Sequence, residues 1–416
     1  MRSSDKRGRV AKGALILGVA AALAVAGCSS KSTDSGSSDS SGTSGGESST
    51  SLSIKPQTLL DSEGKEAPVA SVSDAANPAG DGAATCAGTS LAMAGALTGA
   101  NAALGQNILL GAKLALDEHN KANPGCQVEL KQFDTEGDPQ KATQVAGPIT
   151  SDPSIVGLLG PAFSGETNAT GAQFNQAGLP FLTASATNPS LTEKGWTTFF
   201  RGLGNDNSQG SVVAKYLTGT LNAKKVCVVQ DDTDYGVGLA KVVTESLGEA
   251  ADSACSASVK SGQKDFSATV SQIKGENADA IWYSGYYAEA APFVTQLREG
   301  GVTSTFASGD GTNDPEFVKQ AGESAKDAIL TCPCVPGPEE WVKKYTDLNK
   351  QAPGVYSVEG YDLATIMLKG IDSGVKDRAA MLEFVKTYNG QGVGKKYQWN
   401  DKGELANALI EIYKVG

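Results

Sequence analysis

The chain has 416 residues, 40% of them hydrophobic and 19% charged, and a formal net charge of −11 at pH 7. Such a length exceeds what one hydrophobic core organises, so two domains are expected. The acidity excludes a nucleic-acid-binding class, and a single histidine, His119, removes most histidine-based catalysis and metal binding.

In chain order, Arg2, Lys6, Arg7, Arg9 and Lys12 come first, followed by an unbroken small and apolar run from Gly13 to Gly27. A basic stretch before an apolar run too short to span a bilayer comfortably is the pattern of an export signal. The run ends in Val25-Ala26-Gly27-Cys28, which resembles the lipobox of bacterial lipoproteins. That resemblance implies removal of residues 1–27 and a diacylglycerol on the Cys28 sulfur, hence an exported protein held on the outer face of the cell membrane. The alternative is an ordinary secretory signal with an incidental cysteine. Residues 28–84 are dominated by Ser, Gly, Thr and Asp, too little apolar surface to offset ordering entropy. They read as a disordered tether. Loss of residues 1–27 leaves the mature form near −15.

From residue 85 short apolar runs alternate with amphipathic stretches, the signature of βαβ units around a parallel sheet. Strands are expected at 90–95, 127–134, 155–159, 180–183 and 198–201, with helices at 105–120, 140–151 and 164–176 between them. A second series begins after Asp206, with strands at 225–230, 254–259, 280–284, 304–308 and 328–331. After the crossing Cys332-Pro333-Cys334-Val335-Pro336-Gly337-Pro338 come helices at 339–351 and 358–373, then a loop and a terminal strand. The fold class is α/β, with two doubly wound lobes. His119 falls in the first helix and is expected to be exposed.

Apart from Cys28 there are six cysteines, an even number that suggests disulfides in an exported protein. Six allow fifteen pairings. Cys227 lies in one expected strand and Cys255 in the next, and Cys86 and Cys126 stand at the starts of two others, so parallel neighbours bring each pair together. Cys332 and Cys334 remain, where a bridge across Pro333 would be strained. A metal at Cys332 and Cys334 has no second ligand pair nearby.

Several segments then fall in a telling order: GALTGANAALG (95–105), FDTEGDP (133–139), GPAFSGET (160–167), LPFLTASATNPSLT (179–192), DDTDYGVGLA (231–240), IWYSGYYAEA (281–290) and FASGDGTNDPEF (306–317). Together they resemble the branched-chain amino-acid binding proteins of ATP-driven (ABC) importers, the leucine/isoleucine/valine type. The resemblance covers nearly the whole body. It implies a type I periplasmic binding protein fold, with two Rossmann-like lobes joined by three hinge crossings. The first lobe would comprise 85–204 plus 335–392, the second 205–332 plus 398–416. It further implies a monomer without a cofactor that captures a small, aliphatic or branched-chain amino acid and passes it to a transporter permease.

Ligands of open α/β sheets sit beyond the carboxyl ends of strands, where helix-start N–H groups are free. Ser164 begins a helix there and reads either as a helix cap or as a group that holds a ligand carboxylate; the resemblance favours the second. By resemblance Ser185 supplies a backbone carbonyl to the amino group, and Thr187 contacts both amino and carboxylate groups; a plain polar turn before Pro189 is the alternative. Asp310 would pair with the ammonium, because an unpaired buried charge is costly; otherwise it is an Asp-Gly turn. The family has glutamate at this position. Tyr235 and Tyr286 match pocket tyrosines, with Phe163 near, and Leu104 stands where the family has an aromatic.

Other classes are less well served. The sequence has no nucleophile elbow, and Gly390–Lys396 lacks the spacing of a phosphate loop. Asp231, Asp232 and Asp234 lack the remaining spacing of a calcium loop. A receptor for a short amide, urea or a small organic acid, or a sensory lipoprotein that does not transport, is the standing alternative to an amino-acid receptor.

Overall fold

The computed structural model describes residues 52–68, 72–86 and 88–416. Residues 1–51, and with them the signal, Cys28 and the first part of the expected tether, lie outside the described residues. Among the described residues no helix is long and apolar enough to cross a membrane.

The first element is strand β1 (Ile54–Asp61). The first lobe follows with β2 (Ser90–Gly95), α1 (Ala102–Ala122), β3 (Glu129–Asp134), α2 (Pro139–Ser151), β4 (Ile155–Leu159), α3 (Ser164–Gln176), β5 (Phe181–Thr183) and β6 (Phe199–Arg201). The second lobe takes α4 (Asp206–Lys215), β7 (Val226–Gln230), α5 (Asp234–Leu247), β8 (Ala257–Ser258), α6 (Ser267–Glu276), β9 (Ala280–Ser284), α7 (Tyr287–Glu299), β10 (Thr305–Ser308), α8 (Pro315–Ala321) and β11 (Ile329–Cys332). The chain then runs through α9 (Glu339–Asn349), α10 (Ser357–Asp372), α11 (Arg378–Thr387), a short β12 (Asn389–Gln391) and β13 (Lys396–Gln398) pair, and β14 (Leu409–Val415).

Two sheets result. The first has strand order β3-β2-β4-β5-β6, and its pairs are all parallel. The second has order β1-β14-β11-β10-β9-β7-β8, parallel from β11 to β8. Central strands β2, β4 and β9 are buried along their whole length, as expected where helices cover both faces of a parallel sheet. Helix α10 packs along α1 and reaches β4, so the segment after β11 returns to the first sheet. Strand β14 then joins the second, antiparallel to β11. The α/β reading holds, with one all-parallel sheet and one mixed sheet whose strands from β11 to β8 are parallel.

The reading of 28–84 as a disordered tether is corrected for residues 54–61. Strand β1 pairs antiparallel with β14 from Ile54 to Asp61, and Leu59 and Leu60 are buried. A composition averaged over the whole segment hides this short run, whose backbone covers an otherwise open sheet edge.

The six described cysteines are bonded as Cys86–Cys126, Cys227–Cys255 and Cys332–Cys334. The last pair bridges Pro333, with its Cα atoms 5.0 Å apart. His119 is a correction too: it is fully buried, with Nε2 2.8 Å from Asp372 Oδ1. It lies on the α1 face that packs on α10, not on the solvent face.

Candidate functional site

Strands β4 and β5 end side by side, and the loops after them form one wall of the interlobe cleft. Ser164 is the first residue of α3, and the N-cap position belongs to Phe163. The helix start is secured by Glu166, whose Oε2 accepts from Phe163 N at 2.9 Å while Oε1 is hydrogen-bonded by the Thr135 hydroxyl. Burial raises the Glu166 pKa to about 7. The Ser164 hydroxyl is thereby free of capping and accepts from Asn188 N at 3.3 Å. The first N–H groups of α3 have no acceptor within the helix and favour a negative charge.

The loop after β5 is pinned from below. The Arg201 guanidinium, at the end of β6 and fully buried, donates to the carbonyls of Ala186 and Asn188 and pairs with Glu404 at 3.1 Å. Ser185 donates its hydroxyl proton to Ala162 O at 2.5 Å, so the hydroxyl has no proton left to donate to a ligand. Thr187 differs: its hydroxyl is buried and has no hydrogen-bond partner.

The opposite wall is charged. Asp310 follows β10 and is buried. Its Oδ1 accepts from Gln209 Nε2 at 2.7 Å and from the Tyr235 hydroxyl at 2.9 Å, and its Oδ2 accepts from the Tyr356 hydroxyl. A carboxylate offers about four acceptor positions, so roughly one remains open. Burial pushes the Asp310 carboxyl pKa up, against the lowering effect of these donors. The phenols of Tyr235 and Tyr356 are pushed well above their ordinary value, chiefly by burial, and stay protonated as donors. Gly309 and Gly311 let this layer close: a Cβ on Gly309 would lie 2.7 Å from the Tyr235 hydroxyl, and one on Gly311 2.8 Å from Gly285 O.

Asp206, the first residue of α4, adds a second buried carboxyl, raised to about 8 first by burial and then by repulsion from Asp310. Neither of its oxygens has a full hydrogen bond. The neighbouring Thr187 hydroxyl lowers its pKa but sits outside good bonding geometry. Two acidic groups and an unpartnered hydroxyl thus converge where the lobes meet, a place suited to a cation.

The lobes are in contact. Tyr356 reaches Asp310 from the segment leading into α10, with a positive φ of 67° that is unusual for a non-glycine residue. Asn107 Nδ2 donates to Asp314 Oδ2 at 2.8 Å, Asn168 Nδ2 to Asp234 Oδ2 at 2.9 Å, and Asn188 Nδ2 to Asp234 O at 2.6 Å. The Phe163 and Tyr286 rings lie 4.6 Å apart across the cleft, and Tyr286 lies 5.1 Å from Tyr235. At the cleft mouth is a cavity of about 630 Å³, partly bounded by Phe163, Tyr286 and Glu289.

These contacts bring Phe163, Ser164, Thr187, Tyr235, Tyr286 and Asp310 to one cleft. Leu104 is fully buried in the apolar core at the start of α1, beside Ala103, whose N donates to the Tyr287 hydroxyl at 3.3 Å. Sequence reasoning missed Asp206, Gln209, Tyr356 and Arg201. Asp206 and Gln209 sit one turn apart just after a lobe crossing, a helical spacing that marks one face. Tyr356 has no local signal, since only the tertiary fold brings it to Asp310. Among the described residues, His119, Cys126 and Asp372 come close enough for a metal, but the Cys126 sulfur is taken by Cys86.

The periplasmic binding protein family model matches residues 89–416. The chain belongs to the periplasmic binding protein family. An amino acid binding protein of Pseudomonas aeruginosa is 30% identical over 335 residues, covering 78% of this chain and 89% of that one. A leucine-, isoleucine-, valine-, threonine- and alanine-binding protein of the same organism is 26% identical with the same coverage. Among solved structures, the branched-chain amino acid transporter substrate binding protein LivJ of Streptococcus pneumoniae, in complex with isoleucine, superposes with a TM-score of 0.73 at 29% identity. It covers 78% of this chain and 95% of LivJ. The fold is therefore that of the type I periplasmic binding proteins.

Proposed function

We propose that this periplasmic binding protein is a lipid-anchored extracytoplasmic receptor for an aliphatic α-amino acid, which it delivers to the permease of an ABC importer. The observation that carries the ligand class is the pairing of opposite chemistries across one cleft. The α3 N-terminus and the Ser164 hydroxyl suit a carboxylate, while Asp310, with an open acceptor position, and the unpartnered Thr187 hydroxyl suit an ammonium. The names of the relatives, which bind leucine, isoleucine and valine among others, support the same class.

In this reading Ser164, Thr187 and the Ser185 carbonyl hold the amino acid on the first lobe, and Phe163 flanks it. Closure adds Asp310, Tyr235 and Tyr286 from the second. The lobes comprise 85–204 with 335–392 and 205–332 with 398–416, hinged at the crossings between them. Ligand favours the closed form because only that form offers both sets of contacts. The protein performs no catalysis, acts as a monomer, and hangs from the membrane by the Cys28 lipid after removal of residues 1–27, with its disulfides formed outside the cell. A thermal-shift panel of the common amino acids, small amides and urea tests the ligand class, since a tight ligand raises Tm. Leucine, isoleucine or valine should give the large shifts; a shift with an uncharged amide and none with any amino acid would reject the amino-acid assignment.

A further inference from the structure

Beyond Tyr286 the cleft does not end in an apolar wall. The cavity of about 630 Å³ at its mouth is lined by Glu136, Asp138, Asp232, Asp234 and Glu289, and by no lysine or arginine. Four of these carboxylates are engaged. Glu136 pairs with Lys141, and Asp232 with Lys260 at 2.9 Å. Asp138 caps α2, and Asp234 accepts from Asn168. Glu289 is the exception. Its side chain is 1% exposed, its Oε1 accepts from Gly262 N at 2.8 Å, and its Oε2 has no partner. Burial pushes the Glu289 carboxyl pKa up, and the Gly262 N–H and the nearby Lys264 offset only part of that rise; the Lys264 Nζ itself donates to Ala288 O at 3.2 Å. A buried carboxylate oxygen left without a donor is costly, and a cation entering the cavity would remove that cost.

Glu289 lies one helical turn beyond Tyr286, and Tyr286 packs on Tyr235, whose hydroxyl holds Asp310. A ligand whose ammonium meets Asp310 would therefore need an aliphatic stem passing the Phe163 and Tyr286 rings before it reached Glu289. The faces of those rings suit both methylene groups and a passing cation. We propose that the cleft also accepts α-amino acids whose aliphatic side chain ends in a positive charge, with Glu289 Oε2 receiving the terminal cation in the mouth cavity. The inference rests on the α-amino-acid reading above and extends it from aliphatic to lysine-like ligands.

Calorimetry on the full folded chain with L-leucine, L-norleucine, L-lysine and L-ornithine tests it. Norleucine carries the lysine stem without the charge. L-lysine is expected to bind at least tenfold more tightly than L-norleucine, and Glu289→Gln to lower the lysine-to-norleucine affinity ratio at least tenfold. Because the ratio is taken within one variant, any general loss of folding cancels. Binding of leucine and norleucine with lysine and ornithine silent would overturn this inference and leave the amino-acid receptor intact. Equal ratios in wild type and Glu289→Gln would overturn the role of Glu289. Silence from all the amino acids would overturn the receptor reading and this extension together.

Discussion

The first lobe meets the cleft with a helix start, two hydroxyls and loop backbone, whereas the second meets it with two buried carboxyl groups, one of them braced by the Tyr235 phenol and the Gln209 amide and, from across the cleft, by Tyr356. On the first wall the groups are neutral and their positions follow from local structure: α3 starts where it does because Glu166 caps it, and Thr187 sits where Arg201 pins its loop. On the second wall the decisive group, Asp310, is held by residues far apart in sequence, Gln209, Tyr235 and Tyr356. The contrast teaches that the first wall shapes the site and the second charges it. Loss of a group should therefore cost far more on the second wall than on the first.

The largest effect should come from Asp310→Ala. Removing the carboxylate leaves a ligand ammonium buried without a partner, and affinity for an amino acid should fall by about 3–5 kcal/mol in calorimetry. Unchanged affinity would mean that no ammonium sits there. Next comes Tyr235→Phe, which deletes a hydrogen bond to a charged acceptor and leaves Gly311 N without its partner. A loss of about 1.5–3 kcal/mol in binding is expected.

Asp206 sharpens the comparison through pH. Its folded pKa of about 8 lies above the usual 3.8, so the folded protein holds a proton there that the unfolded chain releases. The associated stability is fully present below about pH 4 and is lost as pH rises through about 8. Ligand-free wild type should lose on the order of 2 kcal/mol from this group between pH 6 and 8. Asp206→Asn, which cannot ionise, should lack that part of the fall. Denaturant melts of both proteins at the two pH values measure it, and parallel curves would show that Asp206 does not titrate there.

The smallest effect belongs to the neutral wall. Ser164→Ala removes one hydroxyl while the α3 N–H groups remain, so binding should weaken by only about 1 kcal/mol. A loss as large as that of Asp310→Ala would erase the distinction between the walls.

The same division governs what the sequence discloses. The strands and helices of both lobes follow from apolar periodicity, and β2, β4, β9 and α3 have the boundaries that periodicity predicts. The loops that carry Ser164 and Thr187 are legible because ligands sit at strand-to-helix loops of a parallel sheet, whereas the ligand roles of the two residues come from the family resemblance. Asp310 is legible only as an Asp-Gly turn until the family resemblance gives it a role. Its partner Tyr356 arrives from beyond the second crossing, at a separation of 46 residues, and no local pattern announces it. Strand β1 was hidden for the opposite reason: its neighbours are so polar that an average over them erases Leu59 and Leu60.

The proposed ligand is a zwitterion that bridges the two walls. Calorimetry comparing L-leucine with 4-methylpentanoate, the same carboxylate and stem without the amine, tests it most directly. Leucine should bind, and the des-amino acid should bind at least 100-fold more weakly, for the same reason as Asp310→Ala. Equal binding of the two would contradict it.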